Sequence, residues 1–169
     1  MSPFSVDLSL LFLPADYVAE EKQRMEMYKR IASVVTDEER ADVTDELIDR
    51  YGELPVQTET LLDVSQLRAL CNRVGVSVVS RGKEGLSMKL DERYVPDAKV
   101  FLQAIAETDG RLSLTARAPF RLMLKVDAQK DAELVTEGLK VMRKLCRRVN
   151  ELLEEQKAAE EPKAETAAE

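Results

Sequence analysis

The sequence predicts an α+β domain whose elements follow the order β-ααα-ββ-α-ββ-α. Apolar residues alternate at a two-residue period in some segments and recur every three or four residues in others. The later strand-like segments come in pairs joined by short turns, which makes neighbouring strands antiparallel. We therefore expect a mostly antiparallel sheet packed against helices. A chain of 169 residues suits one such domain, which we place at residues 1–155.

The amino-terminal part predicts one strand followed by a helix. Apolar and polar residues alternate from Val6 to Phe12, and Pro14 ends that pattern. The period changes near Glu20, where a first helix is expected to begin. Its predicted inward residues recur at steps of three and four along one side: Met25, Tyr28, Ile31, Ala32 and Val35.

Two further helices follow, and the second helix of the chain has the clearest boundaries. Thr36 and Glu39 have the spacing of a capping box, and Gly52 stands where a helix commonly ends. Its predicted apolar stripe is Val43, Leu47, Ile48 and Tyr51. A third helix begins at Pro55, with a predicted buried side of Leu61, Val64, Leu67, Leu70, Cys71 and Val74.

The carboxy-terminal half predicts two hairpins, each followed by a helix. The first hairpin joins Val76–Ser80 to Leu86–Leu90, and the second brings together strands around residues 112–116 and 122–126. The last helix, which Asp127 can cap, carries one apolar seam: Val135, Leu139, Met142, Cys146, Val149 and Leu153. From Gln156 no apolar stripe is present, so residues 156–169 are predicted to form a disordered acidic tail.

Composition excludes several classes of function. The absence of histidine removes the commonest general base and most transition-metal sites, and the two cysteines, Cys71 and Cys146, lack zinc-ligand spacing. We expect no enzyme activity, no cofactor and no metal. No apolar run is long enough to span a membrane, so we predict a cytoplasmic protein. Because residues 154–169 carry −4 of the net charge of −7, the body is close to neutral.

Two groups of charged residues are candidate binding surfaces. An acidic stripe lies beside the apolar residues of the second helix: Asp42, Asp45, Glu46 and Asp49. Spacing alone favours an ordinary solvated helix face, and the alternative is a docking edge for a basic partner.

Basic residues form the opposite group. Five lie on the last helix: Lys140, Arg143, Lys144, Arg147 and Arg148. Four others fall on the polar face of the second hairpin: Arg111, Arg117, Arg121 and Lys125. These groups can contact phosphate or an acidic protein. No aromatic residue is interleaved to stack on bases, so a solubilising face is the simpler interpretation.

Several runs closely resemble the carboxy-terminal domain of bacterial transcription-repair coupling factors. They are Leu13–Val18, Glu21–Ala32 and Glu46–Pro55, followed by Leu61 and Leu62. The resemblance covers about residues 6 to 75, and beyond them only the order of elements agrees. It implies a regulatory piece of a large ATP-dependent DNA translocase that displaces stalled RNA polymerase and recruits UvrA.

The resemblance also implies what this domain contacts. In that family the carboxy-terminal domain docks on the amino-terminal UvrB-like module, masks its UvrA-binding surface and restrains the motor. Glu46 and Asp49 match acidic positions of the family motif, with Asp42 and Asp45 as neighbours. UvrA and RNA polymerase would then be indirect partners, and DNA binding by this domain is expected to be weak or absent. The alternative is an accessory nucleic-acid-binding module that uses the basic last helix.

Overall fold

Three helices come first in the described part of the chain. A computed structural model describes residues 13–128 and 130–166, with side chains through residue 161 except at position 129. Helix α1 spans Glu21–Ala32, α2 spans Asp37–Tyr51 and α3 spans Val56–Arg73. The strand predicted at Val6–Phe12 lies outside the described residues.

A four-stranded antiparallel sheet follows. Its strands are β1 (Val76–Arg81), β2 (Gly85–Leu90), β3 (Leu112–Leu114) and β4 (Arg121–Lys125), in the spatial order β1-β2-β4-β3. A 3-10 turn at residues 92–94 and helix α4, Ala98–Ala106, connect the two hairpins, and the long helix α5 spans Asp131–Thr166. The predicted α+β class and antiparallel sheet are confirmed.

Helix α5 differs from the prediction at both ends. It begins at Asp131 rather than next to Asp127, and it continues through Thr166 where a disordered tail was predicted from Gln156. Residues 156–161 are glutamine, lysine, alanine and glutamate, all of which have high helix propensity. Once the packed first part is helical, each added residue extends an existing helix, and so avoids the unfavourable nucleation step. The side chains of residues 154–161 are exposed and contribute nothing to the core.

Two hydrophobic cores lie on either side of α3. The larger core joins α3, α4 and α5 to one face of the sheet, with Leu67, Met88, Leu122 and Met142 fully buried. Cys71 and Cys146 are both buried in it, as predicted, and burial raises the pKa of Cys146 to about 11. The smaller core joins α1 and α2 to α3, with Leu62 as the buried residue of α3. The second helix is therefore part of a separate layer beside the sheet.

The inward sides of α1 and α2 are rotated relative to the prediction. Met25 and Val35 were expected inside but are 55% and 46% exposed, while Met27 and Ile31 fill the core. Ile48 was also expected inside and is 47% exposed, whereas Val43 and Leu47 are buried. Several adjacent residues of each helix are apolar, so periodicity allows more than one inward side. Contact with the neighbouring helices selects the side that is buried.

The described helices contain no segment that is both long and apolar enough to cross a membrane.

Candidate docking face on the second helix

The first turn of α2 is fixed by the predicted capping box. The Thr36 hydroxyl accepts a hydrogen bond from the Glu39 backbone N–H at 3.1 Å, and the Glu39 carboxylate accepts one from the Thr36 N–H at 3.1 Å. The same carboxylate accepts a bond from the Val35 N–H at 2.7 Å. These backbone donors, Val35 first, lower the pKa of Glu39. Helix α2 therefore begins at a defined residue and in a defined direction.

The last turn of α2 is held by tyrosines. Tyr17 donates its hydroxyl to the Gly52 carbonyl at 2.9 Å and packs edge-on against Tyr51, with ring centroids 5.7 Å apart. Tyr51 in turn donates to the Gln23 side chain on α1 at 3.1 Å. Gly52 adopts a φ of 90°, which a residue with a Cβ rarely accepts, and so the helix ends there.

The outer side of α2 carries a row of carboxylates, which we call the acidic face: Glu38, Asp42, Asp45 and Asp49. Their spacing of four, three and four residues places them along one line of the helix, opposite the buried Val43 and Leu47. All four are exposed and form no ion pair within the described part of the chain. Glu38 was missed by the sequence reasoning, although extending the row by one turn identifies it.

Glu46 occupies a different side of α2. It forms an ion pair with Arg30 of α1, and Arg50 lies 3.4 Å away on its other side. The structure therefore separates Glu46 from the three aspartates with which it was grouped. Its direct role is to hold α2 against α1, which positions the acidic face.

Ile48 adds an apolar element beside the acidic face. Its position, three residues after Asp45 and one before Asp49, puts it on the adjacent exposed strip of the helix. An exposed isoleucine next to unpaired carboxylates gives this surface both an apolar contact and charge.

A set of polar side chains connects α2 to the body of the domain, and we call it the polar junction. Its members come from three helices: Asp37 and Arg40 of α2, Asp63 and Gln66 of α3, and Thr136 and Arg143 of α5. Arg40 donates to Asp63 at 2.6 Å and to Gln66 at 2.9 Å.

Both buried members of the junction have several partners. Asp63 also accepts a hydrogen bond from the Thr136 hydroxyl at 2.8 Å. Gln66 accepts one from Arg143 at 3.0 Å and donates one to Asp37 at 2.8 Å. Arg143 completes the set with a 2.9 Å contact to Asp37. These directional contacts add to the packing of the smaller core in fixing the orientation of α2 relative to α3 and α5.

The polar junction predicts a response to acid. A side-chain hydrogen bond from Gln66, followed by contacts with Arg143, lowers the pKa of Asp37. A carboxyl whose pKa is lower in the folded state contributes stability above its unfolded pKa and loses it as the pH falls through the folded value. We expect the melting temperature to fall below about pH 4, and the variant Asp37→Asn to show a smaller fall. Thermal unfolding of both proteins between about pH 6 and 2.5 measures this, and parallel curves would contradict it.

The basic residues predicted on α5 do not form one free surface. Lys140 pairs with Glu137, Arg143 with Asp37, and Arg148 with Glu107 and Glu151. Contacts with Arg148 lower the pKa of Glu107. Only Lys144 and Arg147, of the five, lack an ion pair within the described residues, and both are exposed.

Comparisons with known proteins agree with this fold. The family profile of the TRCF domain matches residues 8–100. The transcription-repair-coupling factor of Staphylococcus aureus strain USA300 is 29% identical over 132 residues, which is 78% of this chain and 10% of that protein. The corresponding protein of Staphylococcus epidermidis is 29% identical over 125 residues, 74% of this chain and again 10% of the relative. The chain thus spans about a tenth of the curated relatives that it matches.

The fold of this chain also matches that of a solved structure. This chain superposes on the crystal structure of the C-terminal domain of transcription-repair coupling factor with a TM-score of 0.72, and the two sequences are 22% identical. The match covers 89% of this chain and 95% of the other chain. This likeness establishes a shared fold, while the family profile spans more than half of the sequence. The chain belongs to the TRCF domain family and has the fold of the carboxy-terminal domain of a transcription-repair coupling factor.

Proposed function

We propose that this chain is a non-catalytic docking domain, and that its acidic face binds a basic surface on another part of the same parent protein. One observation carries the proposal: four exposed carboxylates lie in a row on a firmly held helix and have no internal ion-pair partner among the described residues. The position of that helix is restrained by the capping box, the tyrosine contacts and the polar junction. A rigid charged surface loses little conformational entropy when it binds.

The partner that we infer is the amino-terminal UvrB-like module of a transcription-repair coupling factor. The parent would be an ATP-dependent DNA translocase that displaces stalled RNA polymerase and recruits UvrA, and it would act in the cytoplasm. Docking would mask the UvrA-binding surface of that module and restrain the motor, so UvrA and RNA polymerase would be affected indirectly. This role requires no cofactor in the domain itself.

Within this proposal the acidic residues have distinct roles. Asp45 and Asp49, with Ile48 between them in sequence, form the centre of the contact, and Asp42 and Glu38 extend it along the helix. Glu46, which already pairs with Arg30, acts mainly by positioning α2. An exposed ion pair contributes only about 0.2–1 kcal/mol, so several must form together. Such an interface is specific, weakened by salt and readily released.

Release is the regulated step in this account. The docked and released states must be close in free energy, so that engagement of RNA polymerase or DNA elsewhere in the parent can favour release. A small charged surface meets that requirement better than a large apolar one, which would lock the domain in place.

The alternative, a nucleic-acid module on the last helix, has less support. Three of its five cations, Lys140, Arg143 and Arg148, already pair with carboxylates of the domain. A gel-shift titration of wild type against the double variant K144Q/R147Q tests that helix directly. Loss of DNA binding in this variant would favour the alternative.

Docking is tested by titrating the domain against the isolated amino-terminal module at about 50 mM salt. The charge reversal D45K/D49K is expected to weaken binding at least about tenfold, because two attractions become repulsions. The matched control E92K/E133K makes the same change in net charge at two exposed carboxylates outside α2 and should bind like wild type. Equal affinity of D45K/D49K and wild type would refute the proposal.

A further inference from the structure

The four-stranded sheet has one face that no described helix covers. Leu86 and Met88 of β2 and Leu122 and Leu124 of β4 point into the larger core, where α3, α4 and α5 pack. Gly138 of α5 lies against Leu86, since a Cβ at that position would be 2.7 Å from a Leu86 methyl group. Alternate residues of each strand point to the opposite side of the sheet. We call that side the open face, and its members on the four strands are Val78, Ser80, Ser87, Lys89, Ser113, Arg121, Met123 and Lys125.

Strand order concentrates positive charge on the open face. Because β4 pairs with β2, Lys89 lies directly opposite Arg121, and Lys125 lies four residues farther along β4. Like charges at directly opposed positions destabilise a sheet. None of the eight strand positions named on the open face carries a carboxylate to offset them. Asp91, which follows β2, is already held by two hydrogen bonds from Arg93, at 2.7 and 2.9 Å.

The chemistry of the open face distinguishes between two classes of anionic partner. A protein interface typically has well-exposed apolar or aromatic anchors at its centre, whereas the two apolar residues of the open face, Val78 and Met123, are both half-buried. Lys89, Arg121 and Lys125 present ammonium or guanidinium groups, which are the groups that contact phosphate oxygens. Ser87 already accepts a hydrogen bond from Arg121 at 3.3 Å, which holds the guanidinium over the face.

None of these eight positions is aromatic, and this favours one form of nucleic acid over another. Proteins that bind single strands stack bases on aromatic side chains, which the open face lacks. The phosphate backbone of a duplex needs no stacking. Arg121 and Lys125 are about 13 Å apart along the strand, a length over which a duplex presents about eight phosphate charges.

We propose that the open face binds the phosphodiester backbone of duplex nucleic acid, weakly and without sequence preference, through Lys89, Arg121 and Lys125. This activity is separate from docking through the acidic face, which lies on α2. The two surfaces would allow the domain to contact duplex nucleic acid and a basic protein module at once. The uncompensated repulsion between Lys89 and Arg121 would be relieved when phosphate lies between them.

The test titrates a labelled 30-base-pair duplex with the whole chain at several salt concentrations. Three phosphate contacts predict a slope of about −2.7 in log K against log salt, or about a 40-fold loss between 50 and 200 mM. K89Q/R121Q/K125Q should bind at least about tenfold more weakly at 50 mM and show a slope near zero. The matched control K22Q/K29Q/K99Q removes three exposed lysines elsewhere and should retain the wild-type slope.

Three further measurements make the proposal falsifiable even if binding is weak. The single variant K89Q should melt at or above the wild-type temperature, because it removes the repulsion between Lys89 and Arg121. A loss of binding in this variant would therefore not be caused by unfolding. A single strand of equal length should bind less tightly than the duplex, and so should polyglutamate. The proposal would be overturned if the single strand or polyglutamate bound more tightly than the duplex. It would also be overturned if the triple variant kept the wild-type slope of log K against log salt, or if only K144Q/R147Q lost binding.

Discussion

Replacing Arg40 with methionine is expected to lower the free energy of unfolding by about 2–4 kcal/mol, among the largest effects of any single substitution outside the apolar cores. The Arg40 guanidinium lies 2.6 Å from Asp63, whose side chain is only 12% exposed. Without it, that carboxylate stays buried with the Thr136 hydroxyl as its remaining partner. Arg40 itself is 26% exposed, which places the effect below that of a fully buried pair. Chemical denaturation of the variant measures the loss.

A double-mutant cycle separates this pair from general damage to the helix. Asp63→Asn removes the charge that Arg40 neutralises, so R40M/D63N should lose less stability than the sum of the two single variants, by at least about 1 kcal/mol. Arg111→Met is the exposed control, because the Arg111–Glu137 pair is 46% and 35% exposed and should contribute less than about 1 kcal/mol. Additive effects at Arg40 and Asp63 would contradict the assigned role of the polar junction.

Gly85→Ala should be comparably destabilising, for a steric reason. A Cβ at Gly85 would lie 2.1 Å from the Leu124 carbonyl oxygen and 2.7 Å from the Val126 nitrogen, both of which are backbone atoms of the neighbouring chain segment. The φ of 155° at this position adds strain for any residue with a side chain. Because backbone cannot rotate away, β2 and β4 would have to separate locally, at a cost of about 2–5 kcal/mol.

The control for this substitution is Gly110→Ala. Gly110 also has a positive φ, 80°, but a Cβ there would meet nothing within 4 Å. Its replacement tests strain alone and should lower stability by about 1 kcal/mol. If the two alanine variants unfold at the same denaturant concentration, close approach of β4 is not what requires glycine at position 85.

Local sequence signals predicted the elements that depend on local physics. Thr36 and Glu39 identified the start of α2 because a capping box satisfies backbone donors within one turn. Gly52 identified its end because a φ of 90° favours glycine. The hairpins were recognisable because their strands alternate and their turns contain glycine or proline. These features need no knowledge of distant residues.

Features that depend on contacts between distant segments could not be predicted in this way. Asp37 and Arg143 are 106 residues apart, and nothing near either residue indicates that Arg143 is bound within the domain. The pairing of β4 with β2, which brings Arg121 opposite Lys89, follows from sheet order rather than from hairpin turns. Ile48 is exposed because neighbouring helices select the Val43 and Leu47 side of α2. Pairing of Glu46 with Arg30 likewise depends on how α1 and α2 pack.

These long-range contacts change the candidate docking site more than they change the fold. They assign Glu46 to positioning α2 and leave Ile48 exposed beside the acidic face. The remaining carboxylates have no internal partner in the described chain, so reversing their charge should affect an external partner without disturbing a bond within the domain. This property makes the docking proposal directly testable.

A charge-swap titration between this domain and the isolated amino-terminal module tests the central claim most directly. D45K/D49K should bind the wild-type module at least about tenfold more weakly than wild type does. The same variant should regain affinity for a module in which basic residues of the proposed docking surface are replaced by glutamate, because attraction is restored with both signs exchanged. Recovery of binding in that combination is the predicted result. Full affinity of D45K/D49K for the unmodified module, or no recovery after the swap, would contradict docking through the acidic face.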